Sequence, residues 1–110
     1  MPCKIKIFSW NANGISTKDD LLLNYINNEK IDIILLNETR LKKNKNFKIR
    51  GFTALRQDRI DDSGYGGVAI LIKNNIHFKE ISPIIGSSIE HLAIQLANKQ
   101  NNNHISIQPP

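Results

Sequence analysis

The chain has 110 residues, 40% of them apolar, so it is long enough to pack one ordinary domain and too apolar to be mostly disordered. Fifteen Lys and Arg against ten Asp and Glu give a net charge of +5, which favours polyanionic partners without identifying one. The single Cys3 excludes an internal disulfide framework, and no apolar run is long enough to span a bilayer. We therefore expect an intracellular protein, nuclear or cytoplasmic, without a membrane partner.

The first predicted elements are a strand and a helix. The strand runs from Lys4 to Trp10, is dense in β-branched and aromatic residues, and is expected to be central in its sheet. The helix is expected to start at Thr17, whose hydroxyl can cap it, with Asp19 and Asp20 in the first turn against the positive end of the helix dipole. Its apolar stripe should cover one face of the sheet and comprises Leu21, Leu22, Leu23, Tyr25 and Ile26.

A second strand is predicted from Ile31 to Leu36, where a nearly continuous apolar run is typical of a strand buried on both faces. Strand, helix and strand form a right-handed crossover unit that places the two strands in parallel. The glycines from Gly64 to Gly67 lack a complete phosphate-binding signature and are interpreted as a flexible turn. From Gly51 onward the pattern predicts an antiparallel meander: Phe52 to Arg56, Val68 to Lys73, Ile76 to Ile81, Ile89 to Leu96, and His104 to Ile107.

Two polar clusters each follow directly on a predicted parallel strand, Ser9 to Gly14 after the first and Asn37 to Arg40 after the second. Ligands in open α/β sheets bind where such strands end, so Asn11 and Glu38 should lie at a shared edge. Amide and carboxylate oxygens suit a hard cation such as Mg2+, which takes further ligands from a substrate phosphate. Taken singly, Glu38 fits a solvated strand end, and Asn11 and Asn13 fit a turn. Their joint placement favours a site.

The stretch from Arg40 to Arg50, called the basic segment below, begins beside Glu38. Its six basic residues are Arg40, Lys42, Lys43, Lys45, Lys48 and Arg50. A solvated loop and a surface that contacts backbone phosphates are both compatible with such a run. Phosphate contact would raise affinity without reading sequence and would weaken as salt rises.

Four motifs occur in a fixed order along the chain: Ser9 to Gly14, Asn37 to Leu41, Arg56 to Arg59, and Gly66 to Ile72. Together they resemble the start of the endonuclease/exonuclease/phosphatase superfamily, and within it the endonuclease domain of non-LTR retrotransposons of the jockey type. The resemblance runs through essentially the whole chain. It implies an α/β fold that is the N-terminal half of a DNase I-like four-layer sandwich, with residues 1–110 as a partial domain.

The resemblance also implies an activity and roles for individual residues. Enzymes of this kind use Mg2+ (or Mn2+) to hydrolyse DNA phosphodiesters, and in mobile elements they nick target DNA so that a reverse transcriptase can prime from the freed 3′ hydroxyl. Glu38 would be the metal ligand and Asn11 would orient the scissile phosphate or catalytic groups. Asn13, where related repair enzymes often have Asp, would support the metal site indirectly. Candidate contacts to DNA phosphates are Arg40, Lys42, Lys43, Arg56 and Arg59.

The sequence departs from the family pattern near its end. The stretch from Ile105 to Pro110 resembles the Pro-rich turn of the family without the preceding Tyr, and the later Asp-x-Asn cluster and the final Asp and His do not follow. We therefore expect the missing half of the domain and a reverse transcriptase domain as partners, and no activity from the chain alone. Two alternatives stay open: a non-catalytic nucleic-acid-binding remnant, and a superfamily member acting on abasic DNA or a small phosphoester.

Overall fold

The computed structural model describes residues 4–42, 45–58, 66–81, 91–97 and 104–107. These ranges form an α/β fold with one helix and seven strands, which confirms the predicted fold class. The elements are β1 (Ile7–Asn11), α1 (Asp19–Glu29), β2 (Ile33–Asn37), β3 (Phe52–Gln57), β4 (Val68–Lys73), β5 (Phe78–Glu80), β6 (Ile94–Ala97) and β7 (His104–Ile107). Among these residues, no helix has the length and apolar character needed to cross a membrane.

The first sheet has the strand order β1-β2-β4-β3. Strands β1 and β2 are parallel, with Ile7 opposite Ile33, and α1 connects them, so the predicted crossover unit is confirmed. The expectation that the first strand is central is wrong for the described part of the chain, where β1 has β2 as its neighbour and forms the edge. Ile7 is 46% exposed, which fits an edge position. Strand propensity alone does not distinguish edge from centre.

The predicted meander is divided between two sheets. Strand β4 pairs antiparallel with both β2 and β3 and so completes the first sheet. Strands β5, β6 and β7 form a separate antiparallel sheet in that order. Both faces of β4 are buried, since Ala69 and Leu71 belong to one apolar cluster and Ile70 and Ile72 to another. A strand with two buried faces belongs inside a layered sandwich.

Two apolar clusters fill the spaces on either side of the first sheet. On one side, α1 packs through Leu22 and Ile26 against Ile34 of β2 and Leu71 of β4. On the other side, the first sheet packs against residues around β6. This second cluster comprises Ile33, Leu35, Ile70, Ile72, Leu92, Ile94 and Leu96. The layers are therefore helix, sheet and sheet, and the predicted covering of one sheet face by the helix is confirmed. Leu21 and Tyr25 of the predicted stripe are 61% and 42% exposed, so the buried side of the helix is narrower than expected.

The start of α1 differs from the prediction. The helix begins at Asp19 and its N-cap position is Lys18, which makes no side-chain capping bond, so the expectation that Thr17 caps the helix is wrong. The amide of Lys18 donates to the carbonyl of Ile15 at 2.9 Å, and this turn places Thr17 before the cap position. Asp19 and Asp20 do lie in the first turn, where their charge complements the helix dipole.

Adjacent leucines of α1 provide a test of this packing. Leu22 is 1% exposed and Leu21 is 61% exposed. We expect Leu22→Ala to lower the free energy of unfolding by about 3 kcal/mol, because it leaves a cavity against the sheet. Leu21→Ala should change it by less than about 0.5 kcal/mol. Urea unfolding of both variants measures the difference, and equal losses would contradict the orientation of the helix.

Candidate active site

The parallel pairing of β1 and β2 continues beyond both strands and sets the geometry of the candidate site. Asn11 is the register partner of Asn37, the residue directly before Glu38. Further along, the amide of Gly14 donates to the carbonyl of Glu38 at 2.8 Å. The two predicted polar clusters are thus joined by backbone hydrogen bonds at the carboxyl edge of the sheet. The structure brings Asn11 and Glu38 to one edge, as the sequence predicted.

Glu38 carries an accessible carboxylate on a constrained backbone. Its Oε2 lies 3.6 Å from Nε of Arg40, and the two side chains are 40% and 38% exposed, respectively. Glu38 and Arg40 have φ values of 53° and 54°, and Asn13 on the opposite loop has a φ of 48°. Non-glycine residues rarely adopt this region, and such residues concentrate at functional sites when the surrounding structure imposes the conformation. The carboxylate is open to a ligand while its backbone is held.

Asn11 and Asn13 form a local turn. The amide of Asn13 donates to Oδ1 of Asn11 at 3.3 Å, a long hydrogen bond of the Asx-turn type. Both side chains are exposed. These residues therefore do form a turn, as one interpretation of the sequence expected. The turn is compatible with a site, because its hydrogen bond uses Oδ1 of Asn11 and does not involve the amide NH2 group.

Lys18 lies beside this turn and was missed by the sequence reasoning. Its Nζ donates to the carbonyl of Ala12 at 2.5 Å and to the carbonyl of Asn13 at 3.3 Å. The same ammonium lies 5.6 Å from the centre of the Trp10 ring, within cation–π range. Lys18 thus holds the loop that carries Asn11 and Asn13. Only its closeness in sequence to the polar cluster could have indicated this role.

Thr39 and Gly67 support the loop that carries Glu38. Thr39 is fully buried, and its amide donates to the carbonyl of Gly67 at 3.2 Å. The amide of Arg40 donates to the carbonyl of Gly66 at 2.8 Å. Gly67 has a φ of 91°, and a Cβ at this position would lie 2.5 Å from Oγ1 of Thr39. Of the glycines interpreted as a flexible turn, Gly64 lies outside the described residues and Gly67 is required for close packing against Thr39.

The basic segment presents its charges to solvent over the residues that the structure describes. The side chains of Lys42, Lys45, Lys48 and Arg50 are exposed. Between them, the apolar residues Leu41, Phe47 and Ile49 are buried in the cluster on the helix side of the sheet. Lys43 and Arg59, two of the predicted phosphate contacts, lie outside the described residues. The segment is an anchored surface loop whose cations are accessible.

Arg56, another predicted phosphate contact, is bound to protein groups. Its Nη2 donates to Oδ2 of Asp58 at 2.8 Å and to the carbonyl of Lys42 at 2.8 Å. Its Nη1 donates to the carbonyl of Lys45 at 2.5 Å, and its Nε donates to both carboxylate oxygens of Asp58. Four of the five N–H donors of a guanidinium are engaged in this way. Contact with a DNA phosphate by Arg56 stays a prediction.

Glu38 is the residue at this edge that could contribute a carboxylate to a metal ion. Mg2+ is commonly held by one or two carboxylates together with water and substrate phosphate. Over the described ranges, no group of three or more His, Cys, Asp or Glu side chains is placed to hold a metal ion. An ion held by Glu38 would therefore need further oxygen ligands, such as water or substrate phosphate.

The chain belongs to the Endonuclease/Exonuclease/phosphatase family, which it matches over residues 8–107. Two curated relatives come from Drosophila melanogaster. A probable RNA-directed DNA polymerase from transposon BS is 37% identical over 79 residues, 69% of this chain. A probable RNA-directed DNA polymerase from transposon X-element is 34% identical over 87 residues, 78% of this chain. These matches span 9% and 10% of the two relatives, so the chain corresponds to about a tenth of their length.

Solved structures share the fold. The AP endonuclease LMAP from Leishmania major superimposes with a TM-score of 0.72 at 18% identity, covering 92% of this chain and 38% of that one. The catalytic domain of human Nocturnin gives a TM-score of 0.62 at 16% identity, covering 94% of this chain and 48% of that one. At these identities the similarity shows the DNase I-like fold. The fold and family resemblance inferred from the sequence are thus confirmed.

Two glycines with nearly equal backbone angles allow the packing beneath Glu38 to be tested. Gly51 has a φ of 87° with no atom within 4 Å of a built Cβ, whereas Gly67 faces Thr39. Both Gly→Ala variants incur backbone strain on the order of 1 kcal/mol or more. We expect Gly67→Ala to lower the free energy of unfolding by about 2 kcal/mol more than Gly51→Ala does, because overpacking against Thr39 adds to the strain. Thermal or urea unfolding gives the comparison, and equal losses would show that the contact with Thr39 is unimportant.

Proposed function

We propose that this chain forms part of a Mg2+-dependent DNA endonuclease domain that hydrolyses phosphodiester bonds. The observation that carries the proposal is the parallel register of β1 and β2, which brings Asn11 and Glu38 to one edge of the sheet. Membership of the Endonuclease/Exonuclease/phosphatase family supports a nuclease-type role. The exposed cations of the basic segment, which begins two residues after Glu38, support a polyanionic substrate.

Each residue at this edge has a role in the proposal. Glu38 would hold the metal ion through its carboxylate, which is accessible and lies beside Arg40. When bound, Mg2+ supplies electrostatic stabilisation of charge on the phosphoryl oxygens. Asn11 would donate from its amide NH2 group to a phosphate oxygen, since its Oδ1 accepts from Asn13. Lys18 keeps that loop in place from below through the carbonyls of Ala12 and Asn13.

The curated relatives indicate the biological setting of the proposed reaction. Both are probable RNA-directed DNA polymerases from transposons, and the chain is more than 30% identical to each over the matched residues. We propose that the cut is a nick in target DNA and that the freed 3′ hydroxyl primes a reverse transcriptase in the same parent protein. The remaining part of the nuclease domain and the polymerase would then be the partners of this chain.

DNA binding without cleavage is the second candidate function. In-line attack on a phosphodiester requires a positioned water and a general base in addition to a metal ion. The proposed site consists of one carboxylate, one amide and neighbouring cations, and it includes no residue proposed as that base. The exposed lysines Lys42, Lys45 and Lys48 need none of this machinery to contact backbone phosphates. Abasic DNA and small phosphoesters are weaker alternatives, because the likeness to AP endonucleases shows fold alone.

Plasmid nicking by the isolated chain tests how complete the site is. With Mg2+ present, we expect the 110-residue chain to convert no more supercoiled plasmid to the nicked form than Glu38→Ala does, because hydrolysis also requires a positioned general base and none is proposed among the described residues. Agarose gel electrophoresis of the plasmid gives the measurement. Robust nicking by the wild-type chain that disappears in Glu38→Ala would show that the chain alone is an active enzyme.

Metal binding at Glu38 can be measured without any activity. In NMR spectra of the 15N-labelled chain, paramagnetic Mn2+ should selectively broaden the amides of residues 11–14 and 37–40. Glu38→Gln removes the proposed ligand charge and should weaken Mn2+ binding at least about tenfold. Glu80→Gln is the matched control, because it removes an exposed carboxylate from β5.

The proposed metal site would be rejected by either of two results in that experiment. One is broadening that is spread over the whole surface, and the other is broadening near residue 38 that Glu38→Gln leaves unchanged. Mg2+ should compete with Mn2+ for the same amides, since both prefer oxygen ligands.

A further inference from the structure

The guanidinium of Arg56 connects a buried carboxylate to the backbone of the basic segment. Its partner Asp58 is only 11% exposed, and Arg56 itself is 21% exposed. On the other side of the guanidinium, Nη1 and Nη2 donate to the carbonyls of Lys45 and Lys42. The same group therefore binds two backbone carbonyls of the basic segment and an acid that directly follows β3. Charge-assisted bonds of this kind are stronger than neutral ones.

The two backbone positions bound by Arg56 are also bonded to each other. The amide of Lys45 donates to the carbonyl of Lys42 at 2.9 Å, so this carbonyl accepts from both Lys45 and Arg56. A planar guanidinium fixes the directions of its donors, and an ammonium at this position would not reproduce them. While the two carbonyls accept from Arg56, the side chains of Lys42 and Lys45 are exposed. The backbone at Lys42 and Lys45 is thus bound to the protein, and their side chains are open to solvent.

Asp58 sets the direction of the guanidinium. Both of its carboxylate oxygens accept from Nε, at 3.1 and 3.2 Å, and Oδ2 also accepts from Nη2 at 2.8 Å. With one edge of the fork fixed by the carboxylate, the opposite donors are directed at the two carbonyls. Asp58 contributes a negative charge, which on electrostatic grounds alone would oppose DNA binding. Asp58 therefore favours DNA binding by positioning the segment and opposes it through its negative charge.

We propose that Arg56 and Asp58 together are a positioning pair that fixes the basic segment for DNA backbone contact without touching the DNA. The inference rests on the proposed DNA-binding role of this chain and refines it. Lys42, Lys45 and Lys48 make the phosphate contacts, and the pair orders the backbone at Lys42 and Lys45. Ordering these positions before binding removes an entropic cost that a loose segment would incur when it meets DNA.

Two charge-matched substitutions separate positioning from electrostatics. Asp58→Ala and Glu80→Ala each raise the net charge by one, but only Asp58 binds Arg56; Glu80 is exposed in β5. We expect Asp58→Ala to weaken binding to a duplex roughly tenfold at low salt, because one or two residues must then be ordered on binding. Glu80→Ala should bind as tightly as the wild type or slightly more tightly. Fluorescence anisotropy over a salt titration measures both affinities.

Arg56→Lys and the double variant Arg56→Gln/Asp58→Ala complete the set. Arg56→Lys keeps the positive charge and loses the fork, so positioning predicts weakened binding, whereas a direct phosphate contact predicts nearly full affinity. The double variant should bind DNA no more weakly than the weaker binder of its two single variants, Arg56→Gln and Asp58→Ala, because both substitutions disable the same pair. Amide hydrogen exchange should accelerate within the basic segment in Asp58→Ala and Arg56→Lys and stay unchanged in β2 and β4, which shows that the fold is intact.

Three results would overturn the inference. They are tighter or unchanged DNA binding by Asp58→Ala, full affinity in Arg56→Lys, and unchanged hydrogen exchange of the basic segment in both variants. Failure of the proposed function looks different: the wild-type chain would bind no duplex even at low salt. In that case the pair could not position a DNA-binding segment. Faster hydrogen exchange in Asp58→Ala would still show that the pair orders the basic segment.

Discussion

The parallel pairing of β1 with β2 is the constraint on which the candidate site depends. It aligns Asn11 with Asn37 and continues beyond the strands, where Gly14 donates to the carbonyl of Glu38. Two loops that leave the sheet at the same end are thereby joined along their backbones. A shift of the register by one residue would move every β1 side chain to the opposite face and would change the backbone hydrogen bonds that join the two loops.

The loops at this edge are held from three directions by groups that carry no proposed chemistry. Lys18 binds the loop after β1, Gly67 packs against the loop after β2, and the Arg56–Asp58 pair binds the basic segment. The accessible polar groups thus lie on backbone segments that these contacts hold in place. Groups held in this way are not reorganised when a charged ligand arrives, which is the condition for effective electrostatic stabilisation. The same arrangement serves binding alone or cleavage.

The sequence predicted the features that follow from periodicity and local order. The buried run from Ile31 to Leu36 indicated β2, the connecting helix indicated a parallel pair, and these two together placed Asn11 and Glu38 at one edge. The division of the later strands into two sheets was not predictable in this way, because each strand pattern is compatible with several neighbours. The helix cap expected at Thr17 is wrong because a local backbone turn from Ile15 to Lys18 precedes the helix and moves its start by one residue.

The role of Arg56 could not be predicted from the sequence, because its backbone partners Lys45 and Lys42 lie 11 and 14 residues earlier in the chain. Arg56 looks like a phosphate ligand in the sequence, and only the structure shows its bonds to backbone carbonyls.

The most direct test of the central claim is a crystal structure of the chain bound to Mn2+ and a short DNA duplex, in which anomalous scattering locates the ion. We predict the ion about 2.1 Å from a carboxylate oxygen of Glu38, with Asn11 facing the adjacent phosphate. An ion bound elsewhere, or Asn11 and Glu38 on opposite sides of the sheet edge, would contradict it.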